Sequence, residues 1–313
     1  MDSSTRIPIK KISSDLYCFR APSSDEGLQL SIKQNGLLQP LCVIASQSGY
    51  QLIDGHRRLK VLRALGKKTV PVFILANLNP KTSLIAALTL NRAQDWKPIE
   101  QCFIIQKARE TGMGTAEIQK NILPLIYLPP SAKILEQYEL TGNLPKKIKH
   151  LIQSGDLPFQ GSHWLARLEP NDLDHLTRFI LPRLHLTASQ LSHCGEWLFD
   201  LNKMTRKPLS QILRSLKLAT GKKADRRLNT DHFYHFVRGL RYPKLAAQEK
   251  LFKALAGEWQ SPVAGLAVKP PDYFEEEGFV LSARIRKPSD IEQLAQHLQS
   301  KKDEAKGLFD VTQ

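Results

Sequence analysis

Residues 50–58 read Tyr-Gln-Leu-Ile-Asp-Gly-His-Arg-Arg, an alternating apolar strand that halts at Asp54-Gly55 and turns straight into a basic helix, expected over Leu59 to Leu65. A helix start preceded by Gly, with Arg57 and Arg58 in its first turn, is a ready anion site. Unpaired backbone N–H groups, the positive end of the helix dipole and guanidinium forks converge there. A phosphate is the expected guest. Taken alone, the same turn also reads as an ordinary basic surface helix, and His56 as either a cap or a phosphate contact.

The flanks narrow these readings. Leu28 to Pro40 carries apolar residues at Leu28, Ile32, Leu37 and Leu38 with Gly36 as a stop, and Gln39-Pro40 leads into a short apolar strand through Ile44. Ser48-Gly49 reads as a hairpin turn. After the basic helix, Gly66 is a second stop, and the stretch to Ile74 is another strand. With "NGLLQPL", "YQLIDGHRRL" and "GKKTVPVFI" in this register, the sequence resembles the N-terminal domain of the ParB partition family, whose fold is shared with sulfiredoxin and some small kinases.

A second stretch, Leu90 to Glu100, is similar to the family's Glu-Asn-x-Gln-Arg run and the Pro-Ile-Glu that follows it. It keeps Asn91 and Pro98-Ile99-Glu100 but has Leu90 where the family has Glu. The resemblance implies CTP with Mg²⁺ as ligands, with Gln39 and Pro40 near the base, Gly55, Arg57 and Arg58 on phosphates, and Asn91 on the metal. Asp54 and His56 lie in the same turn and complete the candidate nucleotide set. Phosphoanhydride hydrolysis asks for a carboxylate that orients water or holds Mg²⁺. His56 and Leu90 replace the residues that matter here, so nucleotide binding with slow or absent hydrolysis is expected.

At 313 residues the chain is long enough for two or three domains, and its 42% hydrophobic content is that of an ordinary soluble protein. No segment approaches about 18 consecutive apolar residues, and Met1 to Arg6 has no apolar leader core, so a cytoplasmic location without membrane contact is expected; the resemblance implies association with the nucleoid. Cys18, Cys42, Cys102 and Cys194 show no zinc-type spacing. Sulfiredoxin has its reactive Cys where this chain has Gly55, so the redox reading fails at its key residue.

The formal charge of +15 is uneven. Residues 55–94 hold eight Lys/Arg and no acid, residues 201–253 fourteen against three, and residues 254–313 seven against ten. Basic fields of this size favour polyanions, with the nucleotide accounting for the first and DNA for the second; a solvated basic surface is the plainer alternative.

From Pro98 the pattern is helical. Ile99 to Ala108 keeps helical spacing, Gly112 and Gly114 end that helix, and Thr115 is expected to cap another. In the ParB family this second helix opens a helix-turn-helix. Ser131 to Leu140 is then the candidate reader, offering Lys133, Gln137 and Tyr138 but also Glu136 and Glu139, which oppose a polyanion. A purely structural helix pair is the alternative. Lys146, Lys147, Lys222, Lys223, Arg226 and Arg227 complete the DNA candidates. Gly221 to Asn229 reads as a mobile phosphate-touching segment between helices at Leu209–Leu218 and Asp231–Leu240, and Phe233, Tyr234 and Phe236 as core more than base-stacking surface.

Two further helices are expected at Leu173–Leu184 and Thr187–Leu201. Near the end come an amphipathic helix, Leu245 to Trp259, a connector, Pro262 to Pro271, one alternating strand, Gly278 to Ile285, and a Ser289-Asp290-capped helix. The last part resembles a ParB dimerisation module, and a lone strand with an open edge calls for a second copy.

The expected fold is α+β: a ParB/sulfiredoxin-like N-terminal domain, a mainly α-helical DNA-binding region and a small α/β C-terminal module. The expected segments are a tail, 1–24; a nucleotide-binding domain, 25–96; a helical domain, 97–200; a basic helical region, 201–244; and a C-terminal module, 245–313. The resemblance implies DNA, a nucleotide, a homodimer partner and a ParA-type ATPase as partners, in plasmid or chromosome partition or related regulation. The competing readings are a small-molecule kinase with an Asp-Gly-His-x-Arg turn and a DNA adaptor with a decayed pocket.

Overall fold

A computed structural model describes residues 5–19, 24–91, 95–221, 224–257, 259, 266–271 and 274–312. The chain forms two compact units, Met1–Leu173 and Asp174–Gln313. Their boundary falls inside the segment 97–200 that the sequence reading treats as one domain.

The first unit opens with β1 (Thr5–Pro8) and β2 (Ile12–Ser13), then α1 (Glu26–Asn35), β3 (Leu41–Ser46), β4 (Gly49–Asp54), α2 (His56–Ala64), β5 (Thr69–Leu75) and α3 (Pro80–Leu90). The five strands make one sheet in the order β1-β5-β3-β4-β2. β3 pairs antiparallel with β4 and parallel with β5, β1 antiparallel with β5, and β2 parallel with β4. Residues 5–8 and 12–13 of the segment expected as a tail are therefore strands of this sheet. Ile7, Ile9 and Ile12 point into the core, but with spacings of two and then three across a 3₁₀ turn, Ile9–Lys11, they make no regular period that stands out in sequence.

The pleat of β4 divides the core. Leu52 packs with Ile32, Leu59, Leu62 and Val72 on one face, beneath α1 and α2. Its neighbour Ile53 packs with Leu84 and Leu88 of α3 on the other. That second cluster continues into α4 (Pro98–Glu110) and α5 (Thr115–Asn121) through Ile104, Ile105, Ile118 and Ile122. Then come a 3₁₀ turn, Leu123–Ile126, α6 (Ala132–Gly142) and α7 (Lys146–Gln153).

Local chemistry explains the ends. Gly36 and Gly66 adopt φ of +72° and +66°, stopping α1 and α2 where the sequence predicts. Asn79 and Thr82 cap the start of α3 reciprocally. The carboxylate of Glu100 accepts the Lys97 backbone N–H at 3.0 Å, starting α4. The expected Thr115 cap is not formed, because Gly114 is the N-cap of α5 and the Thr115 hydroxyl instead accepts Arg109 Nη2 at 3.0 Å.

The second unit follows α8 (Pro170–His175), which spans the boundary, with a π-helical turn, Leu176–Ile180, a 3₁₀ turn, Leu181–Arg183, α9 (Ala188–Thr205), α10 (Leu209–Ile212), α11 (Arg226–Arg241) and α12 (Pro243–Gly257). The single helix expected over Leu173–Leu184, ending near Pro182, is instead a succession of α, π and 3₁₀ turns, the last of which holds Pro182, whose ring removes a backbone donor. The one expected over Leu209–Leu218 lasts a single turn. Residues 225–229 of the Gly221–Asn229 stretch form the start of α11, ahead of the expected Asp231: Asp225 accepts the Arg227 N–H at 2.7 Å, and buried Asn229 holds the Ala219 backbone from both sides.

β6 (Ala267–Lys269) and β7 (Val280–Ser282) form an antiparallel pair, followed by α13 (Pro288–Ser300) and α14 (Ala305–Thr312). The lone-strand reading is corrected, since the partner lies within the segment taken as a connector. Asp290 starts α13 from inside its first turn, accepting the Arg286 and Lys287 N–H groups. Phe252, Trp259, Leu308 and Val311 make the core of this module. Among the described residues, no helix is long and apolar enough to cross a membrane.

Candidate nucleotide and nucleic-acid sites

Gly55 joins β4 to α2 with φ of +100°, a left-handed conformation that L side chains resist. A Cβ there would lie 2.5 Å from Leu41 Cδ2 and 3.2 Å from the Arg58 guanidinium. Only glycine lets the turn close this tightly. His56, Arg57 and Arg58 then supply the first backbone N–H groups of α2, which lack intrahelical acceptors.

Arg58 ties the candidate set together. Its Nη1 donates to the carbonyls of Gln39 and Pro40 at 2.8 and 3.0 Å, and its Nη2 pairs with Asp54 Oδ2 at 2.5 Å. The other Asp54 oxygen accepts Asn91 Nδ2 at 3.4 Å, and the same amide nitrogen donates to the Ala87 carbonyl at 2.8 Å. Two acceptors on that nitrogen fix the amide orientation, so Asn91 Oδ1 is the atom that could face a metal. Gln39, Pro40, Asp54, Gly55, Arg58 and Asn91 thus meet around one helix start, although they span more than fifty positions.

Arg57 points elsewhere. Its Nε pairs with Asp25 Oδ1 at 2.8 Å and its Nη2 donates to the Ser24 carbonyl at 3.0 Å, while Lys60 takes the other Asp25 oxygen at 2.8 Å. The two cations hold the Asp25 carboxyl below its ordinary range, Lys60 first and Arg57 next. Arg57 remains exposed, so a triphosphate could draw it from this surface pair at small cost.

His56 is turned inward, with Nε2 buried and without a hydrogen-bond partner among the described residues. Burial lowers its pKa, against the opposing pull of the Asp54 charge and a backbone bond with Ser14. Burial thus disfavours the charged imidazole, and the inward turn sets the side chain apart from the Arg57 and Arg58 guanidinium groups. Leu90, in the position of the family's Glu, ends α3 exposed beside Asn91.

A magnesium ion asks for hard oxygens in octahedral geometry, commonly one or two from protein and the rest from phosphate and water. Asn91 Oδ1 fits that demand. Asp54 has both oxygens engaged, and the described residues hold no cluster of three His, Cys, Asp or Glu. The thiols are no substitute: burial pushes Cys42 up, and Cys102 and Cys194 to about 12.

Of the DNA candidates in the first unit, Lys133 is exposed in the first turn of α6, Gln137 is half-buried, and Lys146 and Lys147 are exposed at the start of α7. The two acids of α6 are neutralised: Glu136 pairs with Arg167 at 3.0 Å and Glu139 with Arg109 at 2.6 Å. These arginines were not singled out by sequence, because their partners lie about thirty positions away. Tyr138 is engaged within the unit: its hydroxyl donates to Gln101 Oε1 at 3.1 Å, and its ring centre lies 4.6 Å from that of Phe159.

In the second unit, Arg227 is exposed at the start of α11, but Arg226 Nε donates to the Leu184 carbonyl at 2.9 Å and is committed to the fold. Lys222 and Lys223 lie outside the described residues.

Residues 1–92 match the ParB N-terminal domain family. The chain is 31% identical over 152 residues to the chromosome-partitioning protein Spo0J of Thermus thermophilus, covering 44% of this chain and 56% of that one. It therefore spans less than two thirds of that relative's length. Among solved structures it is similar to C-terminally truncated ParB from Caulobacter crescentus complexed to the centromeric parS site, at 21% identity and a TM-score of 0.39 over 62% of this chain and 99% of that one. The same protein complexed with CTP-gamma-S gives 24% identity and a TM-score of 0.27 over 57% and 99%. The family match and the Thermus relative do not favour the small-kinase reading.

Proposed function

We propose, from a chain whose residues 1–92 match the ParB N-terminal domain family, that the protein is a nucleotide-dependent DNA-binding protein of chromosome or plasmid partition or a related regulatory task. CTP, with Mg²⁺ held mainly by its own phosphates and by Asn91, sits at the start of α2. The observation that carries this reading is the Arg58 bridge, which joins the Gln39-Pro40 loop, the Asp54-Gly55 turn and, through Asp54, Asn91.

The residues divide their work. Backbone N–H groups at His56 to Arg58 and the Arg57 guanidinium take the triphosphate, Arg58 holds the loop that faces the base, and Asn91 faces the metal. DNA is gripped by Lys133, Lys146 and Lys147 in the first unit, with Gln137 toward the bases, and by Arg227 and the 222–223 lysine pair in the second. A second copy associates through the β7–α13 region, where Val280, Ile285 and Ile291 are exposed. A ParA-type ATPase is the further partner, on the nucleoid in the cytoplasm. Nucleotide controls the grip on DNA through its differential affinity for two states of the dimer.

The test is equilibrium binding of CTP, ATP, GTP and UTP with Mg²⁺ to wild type and Arg57→Ala, with and without duplex DNA. CTP-selective binding that is weakened in Arg57→Ala and shifted by DNA supports the reading. Binding of no nucleotide by the folded wild type overturns it.

A further inference from the structure

The sequence around Phe233 to Arg238 divides at α11. Phe233 and Val237 face the core of the second unit, at 2% and 0% exposed. Tyr234 is half-buried and His235 is exposed. Trp197 of α9 lies 5.0 Å from Tyr234 and 6.1 Å from Tyr242, and His193 stacks on Trp197 at 5.7 Å with an interplanar angle of 29°. A 3.1 Å contact between His193 Nδ1 and the Tyr234 hydroxyl fixes the rings further. Tyr242 is 39% exposed, and His193 and His235 are exposed.

This strip of rings runs into a cavity of about 290 Å³ between α11 and α12, which His235 and Tyr242 also line. Its other walls include Arg238, Lys250 and Lys253. Two of the nearby acids are paired, Glu249 with Arg238 at 2.8 Å and Asp200 with Arg241 at 2.9 Å, while the Arg241 guanidinium also lies 4.8 Å from the Tyr242 ring centre. Lys250 and Lys253 are exposed, and residues 201–253 carry fourteen basic groups against three acids.

Rings held rigidly at a surface beside unspent cations match the two needs of an unpaired polynucleotide, stacking for its bases and charge for its phosphates. A duplex hides its base faces, and an acidic peptide has no use for the rings. We propose that the α9–α11–α12 surface is a binding site for single-stranded nucleic acid, with one or two bases stacked on Tyr242 and Trp197 and the adjoining phosphates on Lys250 and Lys253. This site is independent of the nucleotide turn and of the duplex-binding residues of the first unit.

The experiment uses the full chain and fluorescein-labelled dT20, the same oligomer with abasic sites at every position, and a random duplex, read by anisotropy at ~0.1 M salt. Wild type should bind dT20 about ten-fold or more tighter than the abasic strand, since stacking is the difference between them. Tyr242→Ala should erase most of that ratio while duplex binding stays unchanged, and Lys250→Gln with Lys253→Gln should weaken both single strands alike. Far-UV circular dichroism checks that the variants fold. Equal wild-type affinity for dT20 and the abasic strand overturns the proposal without any variant. So does a folded Tyr242→Ala that keeps the full ratio, or complete displacement of dT20 by equimolar poly-glutamate.

Discussion

Arg58 grips Asp54 across the glycine turn, Nη2 to Oδ2 at 2.5 Å, with both side chains less than one fifth exposed. The pair is a structural clasp first. Removing the guanidinium strands a half-buried carboxylate and the Gln39 and Pro40 carbonyls together. Arg58→Ala should therefore lose about 2 kcal/mol of stability, seen as a lower urea midpoint, as well as nucleotide binding. Arg57→Ala, at an exposed pair, should lose less than about 1 kcal/mol while still weakening nucleotide. Equal stability losses in the two variants would show that the clasp is not what holds the turn.

Gly55→Ala is the sharper probe of the turn. The added methyl meets Leu41 Cδ2 at 2.5 Å on a backbone with φ of +100°. A cost of about 1–3 kcal/mol follows from the strained conformation alone, and nucleotide binding should vanish with the tight approach. A variant as stable as wild type would mean that the backbone can relax out of the left-handed region.

The inward-facing His56 gives a pH dependence with a definite sign. Burial lowers its folded pKa below the ordinary 6.5, so on acidification the unfolded chain takes up a proton before the folded one. Its contribution is complete above about pH 6.5 and is lost as the pH falls through the folded value. His163, also lowered by burial first, acts in the same direction. Asp25 and Glu117, lowered mainly by their lysine partners, lose their contributions only in the more acidic carboxylate range. The urea midpoint should fall as pH drops below about 6.5, and His56→Gln should flatten part of that slope. An unchanged slope in His56→Gln would assign the effect to other groups.

What the sequence disclosed followed from local chemistry. Gly36, Gly55 and Gly66 mark backbone conformations that few other residues adopt, and the alternation in Gly49–Asp54 is long enough to register. β1 and β2 escaped because four and two residues carry almost no periodic signal, and β6 because three residues pair with a strand eleven positions on. Within the site, the residue types were legible but their division of labour was not. Arg57 and Arg58 are neighbours in sequence and serve different partners, Asp25 and Asp54, a difference set by the 100° step of the helix and by the loop that folds back over it. The orientation of His56 depends on Ser14, forty-two positions upstream, and nothing local signals it.

Leu90 offers a test of the chemistry. It is 49% exposed at the last position of α3, next to Asn91, and contributes no oxygen where phosphoanhydride cleavage needs one. Phosphate release from CTP by wild type should stay near background even at saturating nucleotide. Leu90→Glu should raise it, at little cost in stability, because the side chain it replaces is largely in water. Robust release by wild type, or none gained by a Leu90→Glu protein that still binds CTP, would place the missing group elsewhere.

The first unit's grip on DNA should be electrostatic and traceable to few residues. Lys146 and Lys147 stand exposed at the start of α7, and the carboxylates of α6 that would repel phosphate are already held by Arg167 and Arg109. Each phosphate contact contributes about 0.9 to the slope of log affinity against log salt. Lys146→Gln with Lys147→Gln should thus lower that slope by about 2 and weaken binding to all duplex sequences alike. Gln137→Ala, by contrast, should leave the slope untouched and narrow the difference between preferred and random duplexes, since a neutral amide reads base edges and releases no counterions. If Gln137→Ala alters neither, α6 is a structural helix, and the sequence preference of the first unit must come from another surface.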